Sequence, residues 1–341
     1  MSSAPHVAIV GATGAVGREF LKVLHQRQFA MSGLRLLASS RSAGKSIELG
    51  DKSYTVERLT ENSFKGVDLA LFGTDGPISK RYAPIASEDG CTVVDNSSAF
   101  RMTDGVPLII PEVNAEAIKG FAPGRGGIIA NPNCSTIIML VPVTPLHRAA
   151  VVQRIVVSTY QAASGAGAVA MDELEQQTRE VLEGRPPTCN VFSQQYAFNL
   201  FSHDSQVGAD GYNAEESKMA HETEKIWSNP DVRITATCVR VPVLRAHAES
   251  INLQFEKPLG DDEARRILGE APGVSIIDDR ENNRFPTPLD VSGRDDVYVG
   301  RIRNDRSRNG TADGGLDLFV CGDQLRKGAA LNAVQIAELI V

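Results

Sequence analysis

Basic residues are the minority charge in this 341-residue sequence, with 35 Lys and Arg against 42 Asp and Glu, a net charge of −7. Nucleic acids and anionic membrane surfaces select net basic partners, so neither is expected here, although local basic clusters still allow small anions. Cysteine is sparse: residues 91, 134, 189, 238 and 321 form no CxxC pair and no Cys/His ligand spacing. This argues against a disulfide framework and a structural zinc, so no metal is expected, and it points to a reducing, cytoplasmic compartment. Long hydrophobic runs are missing as well. The longest nearly apolar stretch, Ile137 to Leu146, carries two prolines and is about half as long as the ~20 residues that cross a bilayer. The N-terminal stretch MSSAPHVAIVGATG has no basic segment and no long apolar segment before its first strand, so a secretory signal is not expected.

The length fits about two domains at roughly 150 residues each, with enough chain for a core in both. In the first half, short apolar runs at His6 to Val10, Leu34 to Ala38, Val67 to Phe72, Thr92 to Asp95 and Gly127 to Ala130 alternate with amphipathic stretches. Runs of this length bounded by Gly, Asp and Ser read as buried parallel strands joined by crossover helices, a doubly wound α/β domain. After about residue 150 the strands lengthen and alternate, at Val151 to Thr159, Arg233 to Val241 and His247 to Glu256. Helical stretches at Val169 to Leu182 and Ala214 to Trp227 interrupt them, which predicts an α+β second domain. Residues 303–315 have the composition of a loop. In the last stretch Leu331, Val334, Ala337 and Ile340 lie on one stripe of a helix that must cover a core.

The first strand runs directly into Gly11-Ala-Thr-Gly14-Ala-Val-Gly17 and then a helical pattern. Glycines here permit a tight turn and let backbone amides at a helix N-terminus approach a pyrophosphate. An NAD enzyme is expected to carry an acid at the end of the second strand, where this chain has Ser39-Ser40-Arg41-Ser42-Ala-Gly-Lys45. Hydroxyls beside a fixed cation suit a 2′-phosphate, which favours NADP; the other reading is a solvated basic loop.

Asn131-Pro-Asn133-Cys134-Ser-Thr136 precedes an apolar helical run. Asn133 is a candidate N-cap, which places Cys134 in the first turn, where the helix dipole and free amides stabilise a thiolate able to attack a carbonyl. The other reading is a buried structural cysteine, which is accepted for the remaining four. A nucleophilic thiol needs a proton acceptor, and among the six histidines His247 stands out. It opens a strand and shares its parity with Ile251, Leu253 and Phe255, so it faces the packed side, as a hydrogen-bonded core residue or as a functional one. Arg240 shares a strand face with Ile234, Ala236 and Cys238 and needs an anionic partner, either an internal carboxylate or a ligand. Arg101 follows a strand of the first domain near its carboxyl end, and Lys218 lies in Glu215-Glu216-Ser-Lys218, by composition a charged helix face. The segment Ser158 to Gly167 leads from strand to helix, with Gln161 offering a side-chain amide and small residues leaving room for a flat ring.

In order along the chain, GATGAVG, LLASSRSAGK, VVDNSSAFR, VPLIIPEVN, NPNCST, STYQAASGAG, TCVRVPVLRAH and GAALNAVQIAE resemble the aspartate-β-semialdehyde dehydrogenase family over residues 9–338. The resemblance implies reductive dephosphorylation of L-aspartyl-4-phosphate by NADPH, giving L-aspartate 4-semialdehyde and inorganic phosphate, on the route to lysine, diaminopimelate, methionine and threonine. It implies Cys134 as a nucleophile forming a thioester, His247 as general acid/base and Gln161 as the residue positioning the substrate. Arg240 is implied for the α-carboxylate, Glu215 for the α-amine, Arg101 and Lys218 for the phosphate, and Asn133 beside the substrate. NADP is expected on Gly11, Thr13, Gly14, Ala15 and Val16, on Ser39, Arg41 and Ser42, and on Ser164, Gly165 and Gln324. A homodimer is implied, with residues 1–133 and 322–341 as the NADP-binding domain and 134–321 as the catalytic and dimerisation domain. The segment around Thr74 and Asp75 departs from the family pattern, and residues 189–212 are given no role. The rival readings are an N-acetyl-γ-glutamyl-phosphate reductase, which has no charged amine to match with an acid such as Glu215, and a nucleotide-sensing protein without chemistry.

Overall fold

The computed structural model describes residues 4–308, 310–312 and 314–341. Residues 1–3 of the N-terminal stretch, and Asn309 and Asp313 of the loop expected over 303–315, lie outside the described residues. The chain divides into two units, Met1–Asn133 with Ala329–Val341, and Cys134–Gly328.

In the first unit Val7, Ala8, Ile9 and Val10 are all fully buried, the mark of a strand covered on both faces. They form β1 (His6–Val10), followed by α1 (Ala15–Gln26), β2 (Gly33–Ala38), a hairpin of β3 (Ser46–Leu49) and β4 (Lys52–Arg58), and β5 (Leu69–Phe72). Then come α2 (Gly76–Glu88), β6 (Thr92–Asp95), the short α3 (Pro111–Asn114) and β7 (Ile128–Ala130). The strand order is β3-β4-β2-β1-β5-β6-β7, parallel except for the β3/β4 pair. Chain order reverses at β1, so the carboxyl ends of β1, β2 and β5 surround the switch point where ligands bind in such sheets. This is the doubly wound, Rossmann-type half expected from the sequence. The β3/β4 hairpin was not anticipated, because a half-exposed edge hairpin has too few apolar positions to stand out.

The second unit opens on α4 (Cys134–Ala150), whose residues Ser135 to Thr144 are buried without a break, followed by β8 (Val152–Gln161) and α5 (Ala168–Leu182). The two-residue β9 (Phe201–Ser202), α6 (Ala214–Trp227), β10 (Arg233–Arg240) and β11 (His247–Phe255) come next. The remainder is α7 (Asp261–Glu270), β12 (Val274–Ile276), α8 (Pro288–Val291), β13 (Val297–Asn304) and β14 (Leu316–Gly322). Its mixed sheet has the order β12-β13-β14-β11-β8-β10-β9, with β8/β10 and β12/β13 parallel and the other pairs antiparallel.

The chain then returns to the first unit through α9 (Leu331–Glu338). Leu331, Val334, Ile336 and Ala337 join Val7, Ile9, Phe20 and Leu24 in one core, and Arg27 grips Glu338 with two hydrogen bonds of 2.7 Å. Residues 322–328 group with the second unit, not with the first as expected. The reason is local: the Asp323 carboxylate accepts from Arg245 Nε and Gly293 N, and Gln324 Oε1 accepts from Ala246 N. No helix among the described residues is long and apolar enough to cross a membrane.

Candidate active site

The first unit carries the glycine turn. Gly11 has φ +83°, and a Cβ there would sit 2.6 Å from Gly73 O; a Cβ on Gly17 would collide with Gly11 O. Strand, turn and helix therefore approach this closely only because side chains are missing. Gly14 is the N-cap of α1 and supplies no side-chain cap, so the first-turn amides, which have no intrahelical partner, are left bare of protein side chains for an anion. At the end of β2, Ser39 O accepts from Ser42 N and Ala43 N, and Thr13 Oγ1 donates to Ser42 Oγ at 3.3 Å. Arg41 and Ser39 are exposed on this turn. Bare amides, two hydroxyls and a cation at adjacent strand ends fit a dinucleotide with an additional phosphate. The Asp75 carboxylate caps α2 by accepting from Ile78 N at 3.1 Å, while Thr74 Oγ1 is paired with Ser79 Oγ. Arg101 is buried, donating from Nε to Asn131 O at 2.9 Å and from Nη2 to Asn96 O at 2.8 Å, at the ends of β7 and β6. Asn133, also buried, directly precedes Cys134.

The second unit gathers the remaining candidates through sheet register. Gln161 pairs with Arg240, Ala248 with Tyr160, and His247 with Gly322. Gly322, His247, Gln161 and Arg240 thus form one row across β14, β11, β8 and β10, and directly opposed residues share a face. A Cβ on Gly322 would press on Ile138 Cγ1 at 2.8 Å, so α4 covers this face. Cys134 is the first residue of α4, at the positive end of the helix dipole, and a Cβ on Gly328 would lie 2.9 Å from its Cβ. Gln161 Nε2 donates to Ser135 Oγ at 2.8 Å and to Glu215 Oε1 at 3.0 Å, and Glu215 Oε2 meets Lys218 Nζ at 2.9 Å. The charged face of α6 is thus an ion pair that also holds the amide beside the cysteine.

His247 is fully buried. Its Nδ1 accepts from Ala162 N at 3.0 Å, so the neutral ring carries its proton on Nε2, which has no partner. Burial, reinforced by the Arg240 guanidinium, pulls the imidazole down to about 3. Gly165 separates the two: a Cβ there would be 3.1 Å from Arg240 Nη1 and 3.2 Å from His247 Nε2. Ser164 Oγ is hydrogen-bonded to Gln324 Nε2, which ties the two expected cofactor residues together. In the row beneath, Glu249 is fully buried with neither oxygen partnered, and burial raises its carboxyl well above the usual range.

Sequence reasoning missed His203, Asp204 and Ser205. Phe201 pairs with Arg240 and Ser202 with Val239, which carries the next three residues alongside the site. Burial and Arg240 together lower the His203 imidazole, with Glu215 and Asp204 opposing; Ser205 Oγ accepts from Glu215 N at 3.1 Å. The only trace in the sequence is three polar residues in a row. Cys91, Cys238 and Cys321 are buried, Cys189 is exposed and Cys134 is intermediate, and none of the five is joined in a disulfide. Among the described residues no cluster of His, Cys, Asp and Glu is placed to hold a metal ion.

A Rossmann-type unit with a phosphate turn, together with a unit whose polar row is bonded through Gln161 to the residue after a helix-initial cysteine, is the layout of a nucleotide-dependent dehydrogenase. Two family models match it: "semialdehyde dehydrogenase, NAD binding domain" over residues 6–121 and "semialdehyde dehydrogenase, dimerisation domain" over residues 143–327. It is 52% identical over 341 residues to the aspartate-semialdehyde dehydrogenase of a Synechocystis species, covering 100% of this chain and 98% of that protein. It is 52% identical over 337 residues to the Aquifex aeolicus enzyme, covering 98% and 97%. The solved structure of aspartate semialdehyde dehydrogenase II from Vibrio cholerae, complexed with ASA, superposes with a TM-score of 0.94 at 45% identity, covering 99% of this chain and 98% of that one. The chain belongs to the aspartate-semialdehyde dehydrogenase family, and it is an oxidoreductase of amino-acid biosynthesis.

Proposed function

We propose that the chain catalyses the NADPH-dependent conversion of L-aspartyl-4-phosphate to L-aspartate 4-semialdehyde and phosphate through a thioester on Cys134. The observation that carries this reading is the row of His247, Gln161 and Arg240, with Gln161 bonded to the residue next to Cys134. The Cys134 thiolate adds to the acyl carbon, and collapse of the adduct breaks the carbon–oxygen bond, so phosphate departs with the electron pair and a thioester remains. Gly11, Thr13 to Val16, Ser39, Arg41 and Ser42, together with Ser164, Gly165 and Gln324, would hold NADP, which in its reduced form would supply the hydride. Cleavage of the carbon–sulfur bond then releases the aldehyde and returns the thiolate.

In both additions negative charge develops on the substrate oxygen, where a preorganised donor lowers the barrier. The tautomer of His247 makes Nε2–H that donor, which is the acid half of the acid/base role expected from the sequence. Gln161 orients the acyl group, Arg240 binds the α-carboxylate and Glu215 the α-ammonium, while Arg101 and Lys218 bind the phosphate and Asn133 lines the substrate. The family match over residues 143–327 supports a homodimer formed through the second unit, and the composition supports a cytoplasmic setting.

The test is phosphate-dependent NADP reduction with L-aspartate 4-semialdehyde, run beside N-acetyl-L-glutamate 5-semialdehyde. Only the first aldehyde should turn over. Cys134→Ala should lower kcat by more than about a thousandfold while leaving NADP affinity intact, and Cys134→Ser should be nearly as inactive. A few per cent of the wild-type rate in either variant would overturn covalent catalysis.

A further inference from the structure

Arg240 is held from a direction that the motifs do not reveal. Its Nε donates to Asp204 Oδ1 at 3.1 Å, and its guanidinium carbon stands 5.5 Å from the centroid of the Phe192 ring. Both partners come from the 189–212 segment, to which the sequence assigns no role. A guanidinium offers bidentate donors along its edges. Asp204 occupies the Nε corner and Phe192 covers one face, so the Nη1/Nη2 edge is the one left for a ligand. That edge faces the reacting end of the site, because the same missing Cβ of Gly165 lies 3.1 Å from Nη1 and 3.2 Å from His247 Nε2.

The Asp204 side chain is 46% exposed while that of Arg240 is 6% exposed, so the acid reaches in from the surface to a nearly buried cation. Burial pushes the Asp204 carboxyl up, but the charge and hydrogen bond of Arg240 more than offset it and hold it below the usual carboxylate range. The position of Asp204 is not accidental to a loose loop: β9 pairing at Phe201 and Ser202, and the His203 N–H bond to Cys238 O at 2.8 Å, fix the backbone immediately before it.

We propose that Asp204, with Phe192 against the guanidinium face, is a positioning residue that turns the Nη edge of Arg240 toward the α-carboxylate of the amino-acid semialdehyde. The 192–204 segment thereby becomes a determinant of substrate selectivity. This rests on the reading of Arg240 as the carboxylate ligand.

The test compares two aldehydes in the phosphate-dependent reaction: L-aspartate 4-semialdehyde, and 3-aminopropanal, which lacks the carboxylate. Asp204→Asn should raise KM for the semialdehyde about tenfold, equivalent to about 1.4 kcal/mol. It should leave kcat within about threefold, the phosphate KM unchanged, and kcat/KM for 3-aminopropanal unchanged. Asp204→Glu should recover most of the loss, and Phe192→Leu should produce a smaller shift in the same direction. Arg240→Leu should raise the semialdehyde KM further, and adding Asp204→Asn to it should cost nothing more, because residues acting through one group are not additive. An unchanged or lower KM in Asp204→Asn, beside a raised KM in Arg240→Leu, would overturn the proposal and leave Arg240 as the ligand. An equal loss with both aldehydes would also overturn it, as a general structural effect. An unchanged KM in Arg240→Leu would instead remove the reading on which it rests.

Discussion

A single backbone amide determines what His247 is able to do. Because Ala162 N–H points at Nδ1, a proton on that nitrogen would face another donor, so the ring is kept neutral with Nε2–H directed at the site. An unfolded histidine titrates near 6.5, whereas burial and Arg240 hold this one at about 3. As pH falls below about 6.5 the unfolded chain takes up a proton that the native ring refuses, so stability declines through that window and levels off only near 3. The depressed value therefore carries no penalty at neutral pH and one on the order of 2 kcal/mol at pH 5. His247→Gln, followed by urea unfolding at pH 7 and pH 5, should lose less stability between the two than the wild type; equal losses would show that the ring is charged in the fold. At this scale the sequence exposed Cys134 and Arg240 through helix position and strand parity. Glu215 and Lys218 stayed hidden in composition, because a charged helix face looks the same whether its groups meet water or, as here, each other and Gln161.

Among the elements, α6 links local coding to the site. Asn213 Oδ1 accepts from Glu215 N and Glu216 N at 3.0 Å each, and Glu216 Oε2 accepts from Asn213 N at 2.9 Å. This reciprocal cap fixes the turn from which Glu215 reaches Gln161. Asn213→Ala should cost ~1 kcal/mol in thermal unfolding and should raise the semialdehyde KM, whereas Asn213→Asp, which keeps the acceptor, should do neither. The strands β1 and β6 and the helix α6 end where apolar runs, turn residues and cap chemistry say they should. The strands β13 and β14 were not legible. In β13 Arg301 adopts φ +52° at a shift in register between Gly300 and Arg303, so the alternation of exposed and buried positions that marks a strand is broken in mid-run.

For the whole molecule, the most distant coupling lies inside the nucleotide unit. The last helix contributes to the same core as α1 and β1, and Asn332 Nδ2 donates to Asn131 Oδ1 at 2.7 Å and to Ile109 O at 3.0 Å. Leu331 is 1% exposed, so Leu331→Ala should cost ~2–5 kcal/mol, and NADP at a hundred times its Kd should return about 2.7 kcal/mol. Differential scanning calorimetry with and without NADP reads both; a variant that melts like the wild type would place this helix outside the nucleotide unit's core.

Consecutive residues alone were enough to define the glycine turn, the helix that starts at Cys134, the alternating α/β texture of the first half and the apolar stripe of the final helix. Each of these is written in a few neighbouring positions, because turn sterics, capping and periodicity act over one or two turns of chain. The meeting of His247 with Gln161 and the hold of Asp204 on Arg240 came instead from pairing between strands far apart in sequence, and the grouping of residues 322–328 came from side-chain bonds of Asp323 and Gln324 to residues 245, 246 and 293. Register between such strands is selected by the packing of the entire sheet, and no local stretch of residues contains it.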